Sequence, residues 1–202
     1  MPIYSFDGLV PVVAEGAFVH PDAVLIGDVW VAADCYVGPC ASLRGDFGRI
    51  ILAAGSNVQD NCTLHGFPGS DCALEQNAHI GHGAVLHGCR IGRNALIGMN
   101  SVVMDDAIVG TDAIVGAMSF IRSRQVIGDG MLAVGNPARI VRPLAGSEIS
   151  WKVEGTNEYH KLARLSLSSL KQVAPLLRAD FDRPRRLSDY QPFYRREQLP
   201  EN

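Results

Sequence analysis

An aliphatic residue recurs at every sixth position through most of this 202-residue chain. A period of six fits neither an α-helix, which repeats every 3.6 residues, nor a two-sided strand, which repeats every two. It fits a coil of short strands joined by tight corners, in which one aliphatic side chain of each hexapeptide fills the core. The fold class predicted is therefore mainly β, a parallel β-helix built from hexapeptide repeats. With some slips of phase, the aliphatic positions are Val19, Leu25, Val31, Val37, Leu43, Leu52, Val58, Leu64, Leu74, Ile80, Val85, Ile91, Ile97, Val103, Val109, Val115, Ile121 and Ile127.

The residue four positions after each aliphatic one is usually small, as the inside of a tight corner requires. Cys35, Cys62 and Cys89 occupy this position, where we expect a thiol to act as a compact hydrophobic group and not as a redox group. Asparagine and aspartate tolerate the positive φ that sharp turns need. Corner positions of this type are Asn94, Asn100, Asp106 and Asp112.

The repeat fades after Ile127, and the chain is predicted to divide into three segments. Residues 1–144 form the β-helix, residues 145–177 a C-terminal helical segment, and residues 178–202 a polar tail. Helical periodicity begins at Ser147, breaks at Gly155 and resumes in a longer helix to about Val173. The arginines of the tail are Arg183, Arg185, Arg186, Arg195 and Arg196.

The composition argues against several classes of protein. The formal net charge is −3, whereas nucleic-acid and membrane-surface proteins carry a basic excess or patch. No stretch approaches the roughly 18 consecutive apolar residues that span a bilayer, and the N-terminus lacks the pattern of a signal peptide. The five cysteines show no C-x-x-C spacing. We therefore expect a cytoplasmic protein without a nucleic-acid or membrane partner.

Three of the six histidines lie where the repeat places strands and corners, namely His65, His82 and His87. Imidazole is a preferred zinc ligand, and ligand nitrogens must converge to about 2.1 Å from the ion. In an extended chain His82 and His87 would lie roughly 16 Å apart, so one subunit does not readily bring both to one metal. A site shared across a subunit interface resolves this problem. The alternative is that these are surface histidines with satisfied hydrogen bonds, which is our interpretation of His20 and His160; His79 is a weaker substitute ligand.

Several motifs resemble the γ-class carbonic anhydrase family. They are SLRGD at 42–46, NVQDNC at 57–62 followed by His65, and IGHGAVLHGC at 80–89. GDFGRI at 45–50, HGFP at 65–68 and GTNEY at 155–159 are more similar to the phenylacetic-acid degradation and carnitine-operon branch of that family. The resemblance covers nearly the whole chain and implies that the β-helix is left-handed.

The resemblance also implies a homotrimer with Zn²⁺ sites between subunits. Each site would use His65 and His87 of one subunit and His82 of its neighbour. Arg44 and Asp46 match the ion pair of the family's interface, which can be catalytic or only structural. Two further residues match the family less directly. Gln59 matches a polar residue that lies beside the metal in that family, and Tyr159 matches a site tyrosine on the terminal helix.

The resemblance to the phenylacetic-acid degradation branch implies thioesterase activity. The leading hypothesis for function is therefore a metal-dependent acyl-CoA thioesterase of phenylacetate degradation, in which a zinc-bound water attacks the thioester. The alternatives are a γ-type carbonic anhydrase, a hexapeptide acyltransferase and a non-catalytic trimeric scaffold with vestigial metal sites. Segment 66–73 is short and contains one acidic residue, whereas the archetypal anhydrase has a longer acidic loop there, which argues against fast CO₂ hydration. Imidazole ligands also suit Fe²⁺ or Co²⁺, so sequence does not fix the metal.

Overall fold

A computed structural model describes residues 2–178, 181–184 and 188–196. Within these residues the chain forms short strands that are followed by one long helix and one short helix. In chain order the elements are β1 (Ile3–Tyr4), β2 (Val12–Val13), β3 (Phe18–Val19), β4 (Val24–Val31), β5 (Tyr36–Val37), β6 (Ser42–Leu52), β7 (Asn57–Val58), β8 (Thr63–His65), β9 (Cys72–Leu74), β10 (His79–Ile80), β11 (Val85–His87), β12 (Arg90–Ile91), β13 (Leu96–Ile97), β14 (Val102–Val103), β15 (Ile108–Val109), β16 (Ile114–Val115), β17 (Phe120–Ile121), β18 (Val126–Ile127), β19 (Met131–Gly135), β20 (Ala138–Pro143), α1 (Gly146–Ser169) and α2 (Phe193–Arg196).

The strands stack into three columns, which are the three faces of a coil. Face A continues through β8, β11, β14 and β17, face B through β9, β12, β15 and β18, and face C runs from β3 to β19. The long strand β6 joins faces A and B, because its first half pairs with β8 and its second half with β9. The named strands pair in parallel except for the final hairpin of β19 and β20. The predicted hexapeptide β-helix is thus confirmed, with about seven turns.

The aliphatic positions of the repeat form the core of the coil. The predicted phase is wrong by one residue at Val85. Ile80 and Ile91 are fully buried, but Val85 is 37% exposed. The core residue of that hexapeptide is Leu86, which has no exposed surface. The period of six is therefore intact from Ile80 to Leu86, and the slip falls after Leu86, where the chain turns from face A to face B.

The corners follow the small-residue rule. Cys35, Cys62 and Cys89 are buried, and the Cys62 thiol donates to the Gly81 carbonyl at 3.1 Å, as expected of a structural thiol. The asparagine and aspartate corners have positive φ as predicted, because their short polar side chains tolerate this region. The φ angles are 57° at Asn94, 55° at Asn100, 58° at Asp106 and 57° at Asp112.

Helix α1 differs from the predicted helical segment in its continuity and in where it ends. It is one helix from Gly146 to Ser169, so the break predicted at Gly155 is wrong, and it ends before Val173. A glycine costs an interior helical position about 1 kcal/mol, which tertiary contacts readily offset. Lys152 Nζ bonds to the Asn77 carbonyl at 2.6 Å, and the His160 ring bonds to the Gly55 carbonyl at 2.9 Å. These contacts attach α1 to the coil on both sides of Gly155.

The C-terminal tail is described in part. Residues 170–178 follow α1 without regular secondary structure. Arg183 and Arg195 are described and exposed, whereas Arg185 and Arg186 lie outside the described residues. Within the described ranges, the helices are too short or too polar to span a membrane.

A candidate metal site and an adjoining cavity

His65 and His87 lie side by side on neighbouring turns of face A. His65 ends β8 and His87 ends β11, and the two residues are direct partners in the parallel pairing of these strands. Their rings meet edge to face with centroids 5.0 Å apart, and His65 Nδ1 lies 3.1 Å from His87 Nε2. Two imidazoles bound tetrahedrally to one zinc at about 2.1 Å have nitrogens roughly 3.4 Å apart. The strand register therefore gives this pair nearly the spacing of two zinc ligands.

The outer nitrogen of each ring is held by a carboxylate. His65 Nε2 lies 2.9 Å from Asp46 Oδ1, and His87 Nδ1 lies 2.5 Å from Asp105 Oδ1. Because an ionised carboxylate only accepts hydrogen bonds, each outer nitrogen carries the proton and each inner nitrogen presents its lone pair. When both rings are neutral, two lone pairs at this distance repel each other unless a proton or a metal ion lies between them. Carboxylates behind the ligand rings are the usual second shell of a histidine metal site, so these residues fit a metal ion.

His82 lies at a different corner of the coil. It follows β10, and Gln59 Oε1 accepts from its backbone N–H at 3.2 Å. Its Nδ1 pairs with the Asp60 carboxylate, and its side chain is 47% exposed. Within a single subunit, the described residues form no cluster of three histidine, cysteine or acidic side chains that would hold a metal. A third histidine ligand for the pair would therefore have to come from another subunit.

Arg44 and Asp46 form an ion pair within one chain. Arg44 Nη1 lies 2.5 Å from Asp46 Oδ2, while the other oxygen of this carboxylate holds His65. Burial alone would raise the pKa of Asp46, but the hydrogen bonds from Arg44 and His65 outweigh it and lower this pKa below its ordinary value. Asp46 is therefore ionised at neutral pH and fixes the orientation of the His65 ring.

Gln59 lies beside His82 and not beside the His65–His87 pair. The side chain is buried, and both ends of its amide are engaged. Its oxygen accepts from the His82 backbone, and its nitrogen lies 2.6 Å from His79 Nε2. This arrangement fixes the backbone that carries His82.

A cavity of about 380 Å³ lies between face C and α1, and Gln59, His82 and Tyr159 line it together. Tyr159 reaches in from α1 and packs edge-on against His79, with ring centroids 5.1 Å apart. Burial raises the pKa of Tyr159 well above its usual range, so this phenol is neutral. Burial, assisted by the charge of Lys152, lowers the pKa of His79 to about 3, so His79 is neutral as well. His79 is a poor substitute for the three predicted ligands, because its ring packs against Tyr159 and its Nε2 contacts the Gln59 amide.

The structure places two further aspartates, Asp60 and Asp105, against His82 and His87; neither was identified from the sequence. Asp105 follows His87 by 18 residues, which is one regular turn of the coil. The same offset relates Leu96 to Ile114 and Arg90 to Ile108 in the strand pairing. Asp105 could therefore have been identified from the sequence, by looking one turn of 18 residues beyond each candidate histidine. The remaining two histidines have ordinary hydrogen bonds, as predicted: His20 with the Asp22 N–H and His160 with the Gly55 carbonyl.

The chain is similar to proteins of one family along most of its length. The family model of the bacterial transferase hexapeptide (six repeats) matches residues 88–123. The carnitine operon protein CaiE of Salmonella dublin is 52% identical over 185 residues, which are 92% of this chain and 93% of CaiE.

Two crystal structures extend the similarity to three dimensions. One is a Bacillus cereus protein described as an acetyltransferase, with 32% identity, a TM-score of 0.81, and coverage of 82% of this chain and 96% of that one. The other is a hexapeptide transferase family protein from Anaplasma phagocytophilum, with 31% identity, a TM-score of 0.78, and coverage of 81% and 96%. The chain therefore belongs to the family of the carnitine operon protein CaiE, within the hexapeptide-repeat proteins.

Proposed function

We propose that this protein is a metal-dependent acyl-CoA thioesterase that works as a homotrimer on aromatic acyl groups of phenylacetate degradation. His65 and His87 of one subunit and His82 of the next would hold Zn²⁺, and Fe²⁺ or Co²⁺ suits the same imidazole ligands. The observation that carries the proposal is the pair of imidazole nitrogens that face each other at 3.1 Å with a carboxylate behind each ring.

The residues around the histidines act by positioning them. Asp46, held by Arg44, keeps the His65 ring in place, and Asp105 does the same for His87. Gln59 fixes the backbone at His82. A bound zinc ion would act as a Lewis acid and lower the pKa of its water to about 7.

Hydrolysis of a panel of acyl-CoA thioesters tests the proposal. The panel contains acetyl-CoA, phenylacetyl-CoA and a seven-membered-ring acyl-CoA, and the proteins are wild type, His82→Ala and His20→Ala. We expect His82→Ala to lose at least about 100-fold in rate because a ligand is lost, and His20→Ala to retain the wild-type rate. A wild-type protein loaded with zinc that hydrolyses none of the thioesters would contradict the proposal.

Acyl transfer is the second candidate, because the Bacillus cereus protein of similar structure is described as an acetyltransferase. The chemistry differs only in the acceptor, which would be an amine or hydroxyl in place of water. CoA release that requires an added acceptor would favour transfer, whereas release in buffer alone favours hydrolysis. Stopped-flow CO₂ hydration, run with the same protein, tests the carbonic anhydrase alternative.

A further inference from the structure

The cavity between face C and α1 has the size and lining of a binding site for a small apolar group. Its volume of about 380 Å³ is near the lower end of the range for small-molecule pockets, about 300–1,000 Å³. Leu96 and Met99 contribute from the coil, and Trp151, Tyr159 and Tyr190 contribute aromatic rings from the other side. A cavity of this size has room for an acyl group but not for the whole of CoA.

Two ionisable residues also line the cavity, but their head groups are bound to protein partners. Lys152 Nζ donates to the Asn77 carbonyl at 2.6 Å and to Asn94 Oδ1 at 2.7 Å. Glu158 pairs with Lys161 Nζ at 2.6 Å and accepts from the Ser188 hydroxyl at 2.9 Å. The cavity therefore offers aromatic and aliphatic surface without an unpaired charge from these two residues.

The outer wall of the cavity comes from the tail. Tyr190 stacks on Trp151 with ring centroids 5.9 Å apart, and the Trp151 indole N–H donates to the Gln191 carbonyl at 3.0 Å. Gly155 makes room for this wall, because a Cβ there would lie 2.7 Å from the Tyr190 hydroxyl oxygen. The glycine inside α1 thus lets the tail pack closely over the cavity.

We infer that this cavity binds the acyl group of the substrate, and that it selects neutral apolar acyl groups, especially those with a flat ring. The inference rests on the proposed function for the use of CoA thioesters. It is consistent with the position of His82, which lines the same cavity and is the proposed third ligand. A flat ring can pack against the aromatic side chains there. A charged acyl group would lose its hydration, and a cationic one would gain only contacts with the ring faces in return.

Binding of CoA thioethers tests the inference separately from catalysis, because a thioether cannot be hydrolysed. The chain has two tryptophans, so zinc-loaded Trp30→Phe protein leaves Trp151 as the only indole reporter. The probes are S-phenethyl-CoA, S-ethyl-CoA, and S-(3-trimethylammoniopropyl)-CoA as a cationic counterpart. We expect S-phenethyl-CoA to change the Trp151 fluorescence and to bind at least about tenfold more tightly than either of the others.

A variant that fills the cavity, compared with a matched control, tests whether the thioether binds there. Ala117 lines the cavity from an exposed corner, just before the positive-φ residue Met118. Ala33 lies at an equivalent exposed corner, before the positive-φ residue Asp34, and is not part of the lining. Ala117→Leu should remove most of the preference for S-phenethyl-CoA, and Ala33→Leu should keep it.

The outcomes separate this inference from the proposed function. Ring-selective binding that Ala117→Leu abolishes supports the inference even if no thioester is hydrolysed. Equal affinity for all three thioethers, the tightest binding for the cationic one, or equal behaviour of the two leucine variants would overturn the inference, whatever the rate of hydrolysis.

Discussion

At the scale of single residues, each of the three predicted ligand histidines has an aspartate on one ring nitrogen. Asp46 holds His65, Asp105 holds His87, and Asp60 pairs with His82. A carboxylate behind an imidazole fixes the tautomer and makes the other nitrogen a stronger ligand. In the proposed metal site the aspartates would therefore raise metal affinity, although none of them is a predicted ligand.

Replacing Asp105 with asparagine tests this role. We expect Asp105→Asn to weaken zinc binding about 10- to 100-fold, because an amide does not fix the His87 tautomer as a carboxylate does. The measurement is competition for zinc with a chromophoric chelator. Asp106→Asn is the matched control, since Asp106 is the next residue, is exposed, and lies 3.8 Å from its partner Arg124. Equal zinc affinity in both variants would contradict the role of Asp105.

At the scale of elements, the attachment of α1 to the coil depends on a buried lysine. Burial lowers the pKa of Lys152 to about 7, and the charge of Asp112 only partly counteracts this. Its two bonded acceptors, the Asn77 carbonyl and Asn94 Oδ1, match the two N–H groups of a neutral amine. The contact between helix and coil is therefore sensitive to pH.

The lysine predicts a pH dependence of stability with a definite sign. Between about pH 7 and its unfolded pKa near 10.4, Lys152 binds a proton in the unfolded chain but not in the folded one. The free energy of unfolding should therefore rise with pH in this window, by up to about 1.4 kcal/mol per unit. Below pH 7 the cost of burying the charged lysine is fully present. Urea unfolding of wild type and Lys152→Met at pH 6 to 9 measures the difference; a difference independent of pH would contradict this account.

Gly155 and Tyr190 provide a second test at this scale. Glycine to alanine inside a helix normally stabilises by about 1 kcal/mol. Here the new Cβ would meet the Tyr190 ring, so Gly155→Ala should stabilise only when Tyr190 is also replaced by alanine. A double-mutant cycle on thermal unfolding should give a coupling free energy of about 0.5–2 kcal/mol. Additive effects would mean that the tail does not pack over Gly155.

At the scale of the whole molecule, the fold was predictable because it is repetitive. One aliphatic core position per hexapeptide, such as Ile91 or Ile97, sets the coil, and many repeats together outweigh one error at Val85. Helix α1 was predicted less well, because Gly155 breaks the local helical pattern and long-range contacts of Lys152 and His160 restore it. Local sequence patterns carry no information about such contacts.

The candidate site was predictable in part for the same reason. The histidines were identified by motif, and the resemblance assigned them to two subunits. Their aspartate partners lie 18 to 22 residues away along the chain, so only the register of the coil brings them together. The cavity under α1 depends on the packing of a helix and a tail, and hexapeptide periodicity does not reach that part of the chain.

The measurement that tests the central claim most directly is complementation between subunits. One variant is His82→Ala and the other is the double variant His65→Ala, His87→Ala. Each alone should have lost its tight zinc binding, because every interface lacks at least one ligand. Co-expressed in equal amounts, they should form mixed trimers in which about one quarter of the interfaces are complete, and zinc content and thioesterase rate should recover to about that fraction. Full zinc content in His82→Ala alone, or no recovery in verified mixed trimers, would contradict a metal site shared between subunits.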